Sequence, residues 1–158
     1  MMLPVELEVF EDATSLNAAL PGAVVTGKHK FGETTLEIAP AQIVAACRYL
    51  KTARQYERLS AVTAVDRHPA DPRFEIVYHF HSLARNARLR LKSRIGGAHP
   101  EIDTVSVVYL SANWYEREIF DLFGVTFRNH PDLRRIMLPE DWEGHPLRKD
   151  YPKTGPRV

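Results

Sequence analysis

Five prolines, at positions 131, 139, 146, 152 and 156, punctuate the last thirty of 158 residues and restrict where regular structure can form. Proline lacks a backbone N–H and its ring clashes with the preceding helical turn, so neither a long helix nor a central strand passes through this stretch. A folded domain is therefore expected in residues 1–127, followed by an extended tail over 128–158. The tail's apolar side chains, among them Leu133, Ile136, Met137 and Leu138, are too few to offset the entropy of ordering it. It is either disordered or laid across another protein. Trp142, Tyr151 and the arginines favour the second reading, because disordered segments are poor in large aromatics.

Before the tail, the apolar pattern predicts a short helix over 11–20, stopped by Pro21-Gly22. Residues 23–30 and 33–38 are strand-like, and Phe31-Gly32 between them marks a hairpin. Pro40 suits the first turn of a second helix, from 41 to about 55, in which Ile43, Val44, Cys47 and Leu50 follow helical spacing. A strand over 59–66 leads into the turn cluster His68-Pro69-Ala70-Asp71-Pro72. Over 74–81, Phe74, Ile76, Tyr78 and Phe80 alternate onto one face. Leu89, Leu91 and Ile95 alternate with Arg88, Arg90, Lys92 and Arg94, giving a strand with one apolar and one basic face. Periodicity leaves 104–110 open between a strand and the approach to a last helix. This order implies a two-layer α+β domain with a mixed, largely antiparallel sheet of about five strands.

Composition removes several classes of function. A net charge of +1 argues against a general polyanion binder. The lone Cys47, set in the apolar stretch 43–47, reads as a buried structural thiol and leaves no intrachain disulfide or self-contained iron–sulfur cluster. No apolar run approaches the roughly 20 residues of a membrane helix, and the start lacks the basic-then-apolar pattern of a signal peptide. Membrane association is expected only through partners. There is no Walker A sequence and no dinucleotide fingerprint, and Gly96-Gly97 reads as a turn. His79 and His81 share a strand face at a spacing able to hold a metal, but beside Glu75 and basic neighbours a solvated sheet face is the plainer reading. The basic row Arg88 to Arg94 meets one requirement of a nucleic-acid-binding module. No aromatic side chain interleaves it, so an exposed strand face or a protein interface fits better.

The last helix carries the densest charge. Asn113 and Glu116 are spaced as a capping box, and Gly124 suits a left-handed C-terminal residue. At 100° per residue, Tyr115, Ile119, Phe120, Leu122 and Phe123 form an apolar arc, with Arg117, Glu118 and Asp121 outside it. Arg117 stands one turn before Asp121, placed for an i,i+4 pair. Glu116 projects into the arc. It either caps its own helix or takes Arg134 or Arg135 from the tail as a bidentate partner. In the paired case Glu116→Gln should weaken assembly strongly, because stranding one member of a buried pair costs about 3–5 kcal/mol. The three carboxylates splay around the helix instead of converging on a pocket, so catalysis by them is not expected.

Glu116-Arg117-Glu118, two residues, Asp121-Leu122-Phe123, six residues, His130, three residues, Arg134-Arg135-Ile136-Met137 closely resembles the signature of one family, the C subunit of the proton-pumping NADH-quinone oxidoreductase, respiratory complex I. The continuation Leu138-Pro139-Glu140-Asp141-Trp142, then Gly144-His145-Pro146-Leu147-Arg148-Lys149-Asp150-Tyr151-Pro152, looks like the same family. The resemblance implies a small α/β domain in the hydrophilic arm of a complex that moves electrons from NADH through FMN and iron–sulfur (Fe-S) clusters to a quinone, coupled to proton translocation. It places those centres in partner subunits, so no catalytic, metal or cofactor-binding residue is expected in this chain. It further implies that the chain helps hold subunits B, D and I together, its tail resembling the segment that wraps the D subunit, peripherally on the cytoplasmic side of the bacterial plasma membrane. The interface candidates are Glu116, Arg117, Glu118, Asp121, Phe123, Gly124, His130, Arg134, Arg135, Trp142, His145, Arg148 and Tyr151. Two rivals remain: the equivalent subunit of a membrane-bound hydrogenase or other donor:quinone oxidoreductase, and, from another class, a free-standing nucleic-acid-binding module using the Arg88 to Arg94 strand.

Overall fold

Strict alternation in the middle of the chain builds the sheet. In the computed structural model, which describes residue 8 and residues 10–154, the elements in order are α1 (Glu11–Ala19), β1 (Val24–Lys30), β2 (Glu33–Ile38), a single 3-10 turn (Pro40–Gln42), α2 (Ile43–Ala53), β3 (Arg58–Asp66), β4 (Phe74–Ser82), β5 (Ala87–Ile95), β6 (Glu101–Asp103), α3 (Ala112–Phe123) and β7 (Thr126–Arg128). Five strands form a mixed sheet in the order β1-β2-β5-β4-β3, antiparallel except where β2 runs parallel to β5. The fold is the expected two-layer α+β domain.

Register keeps apolar and charged residues on opposite faces. Leu36, Leu91, Tyr78 and Val62 lie side by side across four strands, all buried, and join Leu16, Ile43, Cys47 and Leu50 of the helices in one core. The next row, Thr35, Arg90, His79 and Ala61, faces the other way. Burying the apolar row accounts for the sheet's stability, at about 1.5–3 kcal/mol for each large side chain removed from water. Cys47 is free and buried, and burial pushes its thiol pKa well up.

The open segment resolves as an approach to the helix. Val108 and Tyr109 donate N–H bonds to Val105 O, and Ala112 to Tyr109 O, so 104–110 is a run of turns. The short parallel pair β6–β7 brackets this excursion and α3. A bulge in β3 between Leu59 and Ala61 turns backbone carbonyls outward. Ser111 donates to Leu59 O at 3.3 Å and Tyr115 to Ser60 O at 3.0 Å, which ties α3 to that edge strand.

Candidate functional site

The expected capping box does not form. Ser111, with no side-chain cap bond, precedes α3, and the Glu116 carboxylate reaches away from its own helix. Glu116 accepts the Val105 N–H at 2.8 Å and the Thr104 hydroxyl, which is itself bonded to Ser106. Among the described residues no arginine faces it, so its pairing with Arg134 or Arg135 is not realised either. His130 Nε2 lies 3.7 Å away, but the two do not form an ion pair. The imidazole uses Nε2–H for Asn113 O and accepts the Asp132 N–H at Nδ1, which fixes a neutral tautomer, and burial holds its pKa down. Fully buried with two hydrogen bonds and no cation, Glu116 has its pKa pushed up to about 7 by desolvation.

Asp121 receives what was expected for Glu116. Its Oδ1 accepts Arg135 Nη1 at 2.8 Å, and its Oδ2 accepts three successive tail N–H groups, from Ile136, Met137 and Leu138, at 3.0, 2.7 and 3.0 Å. Burial alone would raise this carboxyl's pKa, but the three N–H bonds and Arg135 outweigh it and the net shift is downward. Arg117 does not pair with Asp121 one turn on. It also turns to the tail, donating to Arg134 O at 3.3 Å, lying 3.7 Å from Asp132 and stacking over Trp114. Arg117 and Asp121 stand outside the apolar arc and are nevertheless buried, because the tail covers that side of the helix. Through residue 154 the tail is packed against its own domain by these bonds. Polar bonds to its own domain supply what its apolar content lacks.

Further along, the tail finishes the helix. The last carbonyls of an α-helix have no intrahelical donor and carry partial negative charge. In α3, Asp121 O accepts His145 Nδ1–H at 2.8 Å, Leu122 O accepts the Leu147 N–H at 3.0 Å, and Phe123 O accepts Arg148 Nε–H at 2.6 Å. Arg148 also reaches Gly124 O and sits over the Phe74 ring. Gly124 is left-handed at φ +70°, and a Cβ there would overlap the His145 ring and the Arg148 guanidinium. Beyond it, the Lys149 N–H donates to Asp66 at 2.8 Å, and Arg73 bridges Asp66 and Asp150. Arg73 first, then the Lys149 and His68 N–H groups, hold the Asp66 carboxyl far below its ordinary pKa.

The remaining candidates fall into three groups. Arg135 and Tyr151 help close the tail on itself, Arg135 through Gly144 O and Tyr151 through Glu143 O, and the Tyr151 ring abuts Gly144. Trp142 buries an indole N–H that has no acceptor in the structure, and Phe123 is half-buried against the core. Glu118 and Arg134 point outward, Arg134 with 68% of its side chain exposed and bonded only to Asp132. Thr104, Asp132, Asp66, Arg73 and Asp150 also belong to this arrangement. Only Asp66 carried any local signal, an acid two residues before a turn. Among the described residues no group of three His, Cys, Asp or Glu side chains is placed to hold a metal, and none of the helices is long and apolar enough to cross a membrane.

The fold and site define a small α+β domain whose charged residues lock a helix to its own tail and whose exposed apolar side chains cluster from Val107 onward. Its family follows from comparison. Residues 36–157 match the family described as respiratory-chain NADH dehydrogenase, 30 Kd subunit, and the chain belongs to it. It is 53% identical over 146 residues to the C subunit of NADH-quinone oxidoreductase from Geobacter sulfurreducens, covering 85% of this chain and 90% of the relative. It is 41% identical over 148 residues to the C subunit from Cereibacter sphaeroides, covering 92% and 73%. Among solved structures, the archaeal membrane-bound sulfane sulfur reductase, a respiratory membrane complex, superposes with a TM-score of 0.77 at 26% identity over 89% of this chain and 83% of that one. A trypsin-resistant fragment (1–134) of Nqo5 superposes at 0.62 with 27% identity, over 66% and 86%.

Proposed function

We propose that this chain is the C subunit of a bacterial-type NADH:quinone oxidoreductase and acts there as a non-catalytic scaffold. In this reading it joins subunits B, D and I in the hydrophilic arm, on the cytoplasmic side of the membrane. FMN, Fe-S clusters and the quinone site, for ubiquinone or another quinone, reside in the partner subunits. The observation that carries the proposal is the α3–tail clasp, which coincides with the family signature. The carboxylates of α3 have separate structural duties: Glu116 inside the core, Asp121 in the clasp and Glu118 in solvent. Exposed anchors lie around the clasp. Among the described residues, five of the eight large apolar side chains left exposed fall between 107 and 147: Val107, Leu110 (88% exposed), Trp114 (63%), Met137 and Leu147. Aromatic and apolar anchors of this kind are what partner subunits bury.

The superposition on a sulfane sulfur reductase favours one alternative, a related complex with another electron donor. Identities of 41–53% to C subunits of NADH-quinone oxidoreductases weigh against it. Purification of the intact complex from its native source tests the choice. Co-purification with NADH:quinone reductase activity supports the proposal, and co-purification with hydrogenase or sulfur-reductase activity overturns it. Truncation after Phe127 should abolish assembly and also lower the Tm of the remaining domain, since Asp121 loses every N–H donor it has.

A further inference from the structure

The basic residues of β5 divide into two unlike halves. Lys92 and Arg94 are neutralised within the chain: Glu75, almost fully buried, takes Lys92 at 2.6 Å, Arg67 at 3.1 Å and Arg94 at 3.6 Å, and Glu37 takes Arg94 at 3.5 Å. At the other end Arg90 pairs with Glu33. The Arg88 side chain has no ion pair or hydrogen bond among the described residues, and neither has that of Arg58 on β3.

Register brings these two together. Arg58 and Arg88 are the cross-strand neighbours of His81 on either side, so their backbones stand two strand spacings apart, about 10 Å, and both residues line one cleft. His81 Nε2 is buried and has no partner. A cleft of about 600 Å³ opens over this row, lined also by His79, Arg90 and Glu33. A lone surface arginine is ordinarily content with water. Two unpaired arginines in a concavity, beside an imidazole whose Nε2 has no hydrogen bond and whose nearby carboxylate Glu57 is itself bonded to the Leu83 N–H, make a local positive potential that draws an anion.

We propose that this cleft receives Asp or Glu carboxylates from an acidic segment of a neighbouring subunit. The proposal rests on the chain being part of an assembled complex. The guanidinium fork matches a carboxylate in two parallel hydrogen bonds, and two forks lining one cleft match a short acidic run. Phosphate backbone fits less well. The neutralised half of the row interrupts any basic stripe, and Phe31, exposed in the β1–β2 turn two residues before Glu33, is a single ring where a stacking platform uses several.

The test uses the intact complex carrying Arg58→Lys or Arg88→Lys, which keep the charge and supply an amine. Carbodiimide joins an amine to a carboxylate only where the two touch. The expected result is an amide link from the substituted position to Asp or Glu of another subunit, found by mass spectrometry. Arg94→Lys is the control, with links only to Glu37 or Glu75 of its own chain. The double change Arg58→Glu with Arg88→Glu should loosen the chain from the complex by at least about tenfold, more steeply at low salt. Co-purification without any intersubunit link from 58 or 88 overturns the cleft and leaves the complex intact as a reading. Absence of the links when a single-stranded oligonucleotide is present before and during cross-linking overturns it in favour of phosphate. A chain absent from the purified complex overturns both.

Discussion

The five-strand sheet and the segment over 129–154 are both ordered, but by different forces. The sheet buries an apolar row shared by four strands, and its energy is spread over many contacts of similar size. The tail buries little and hangs on a few points: Asp121, the carbonyls ending α3, and the Asp66–Arg73–Asp150 bridge. Distributed apolar burial tolerates single losses. Concentrated polar bonding does not, because each broken partner leaves another group desolvated and unsatisfied.

The contrast breaks most sharply at Asp121. Asp121→Ala strands Arg135 and three N–H groups and should cost about 3–5 kcal/mol in urea unfolding. A core change such as Leu91→Ala costs a comparable 2–5 kcal/mol or so, but by another route. Amide hydrogen exchange separates the two: Asp121→Ala should release residues 136–148 first, whereas Leu91→Ala should loosen the sheet. Equal release of sheet and tail by Asp121→Ala would erase the distinction.

Acid and base should pull on the two carboxylates in opposite directions. Asp121 has a lowered pKa, so its contribution is present above the ordinary 3.8 and is lost as pH falls through its folded value. Glu116 has a raised one. Between the ordinary 4.5 and about 7 the folded chain holds a proton that the unfolded chain has released, so this group's contribution falls as pH rises and is lowest above 7. At about 1.4 kcal/mol per pH unit the difference amounts to roughly 3 kcal/mol. Glu116→Gln, which keeps an acceptor for the Val105 N–H, should therefore gain on the parent protein between pH 5 and pH 8. Parallel melting curves at the two pH values would show that Glu116 does not titrate in this range.

Gly124→Ala should cost about 1–3 kcal/mol, from the left-handed backbone and from displacement of His145 and Arg148. A thermal melt within a degree of the parent would mean that the cap over α3 adapts. Arg134→Ala should sit at the bottom of the scale, under about 1 kcal/mol for an exposed pair. A larger loss in the isolated chain would contradict its outward placement.

The sheet was legible because alternation over 74–81 and 88–95 is a property of each strand by itself. Both strands form over those residues and extend by only one at their edges. In α3 the same reasoning stopped short. Periodicity correctly separates an apolar arc from Arg117 and Asp121, but which charged residues become buried depends on a second neighbour that arrives later in the chain. Thr104 and Val105, the partners of Glu116, belong to a run of turns without periodicity, so nothing in their order marks them. The signature residues were identified as a group, while the pairings within it were assigned wrongly. Arginine–carboxylate spacing along a helix cannot anticipate a competing backbone nest of three N–H groups.

The cap that His145, Leu147 and Arg148 place on α3 also has a consequence in time. A polypeptide is made from its N-terminus, and domains generally begin to fold as they emerge. The carbonyls that end α3 and the Asp121 carboxylate therefore wait for residues 135–148 to be synthesised, and Asp66 waits 83 residues for Lys149. The surface around Trp114 and Met137 acquires its final shape only after residue 148 has been made. A partner that recognises that shape would bind chains that include residues 135–148 and not shorter nascent ones.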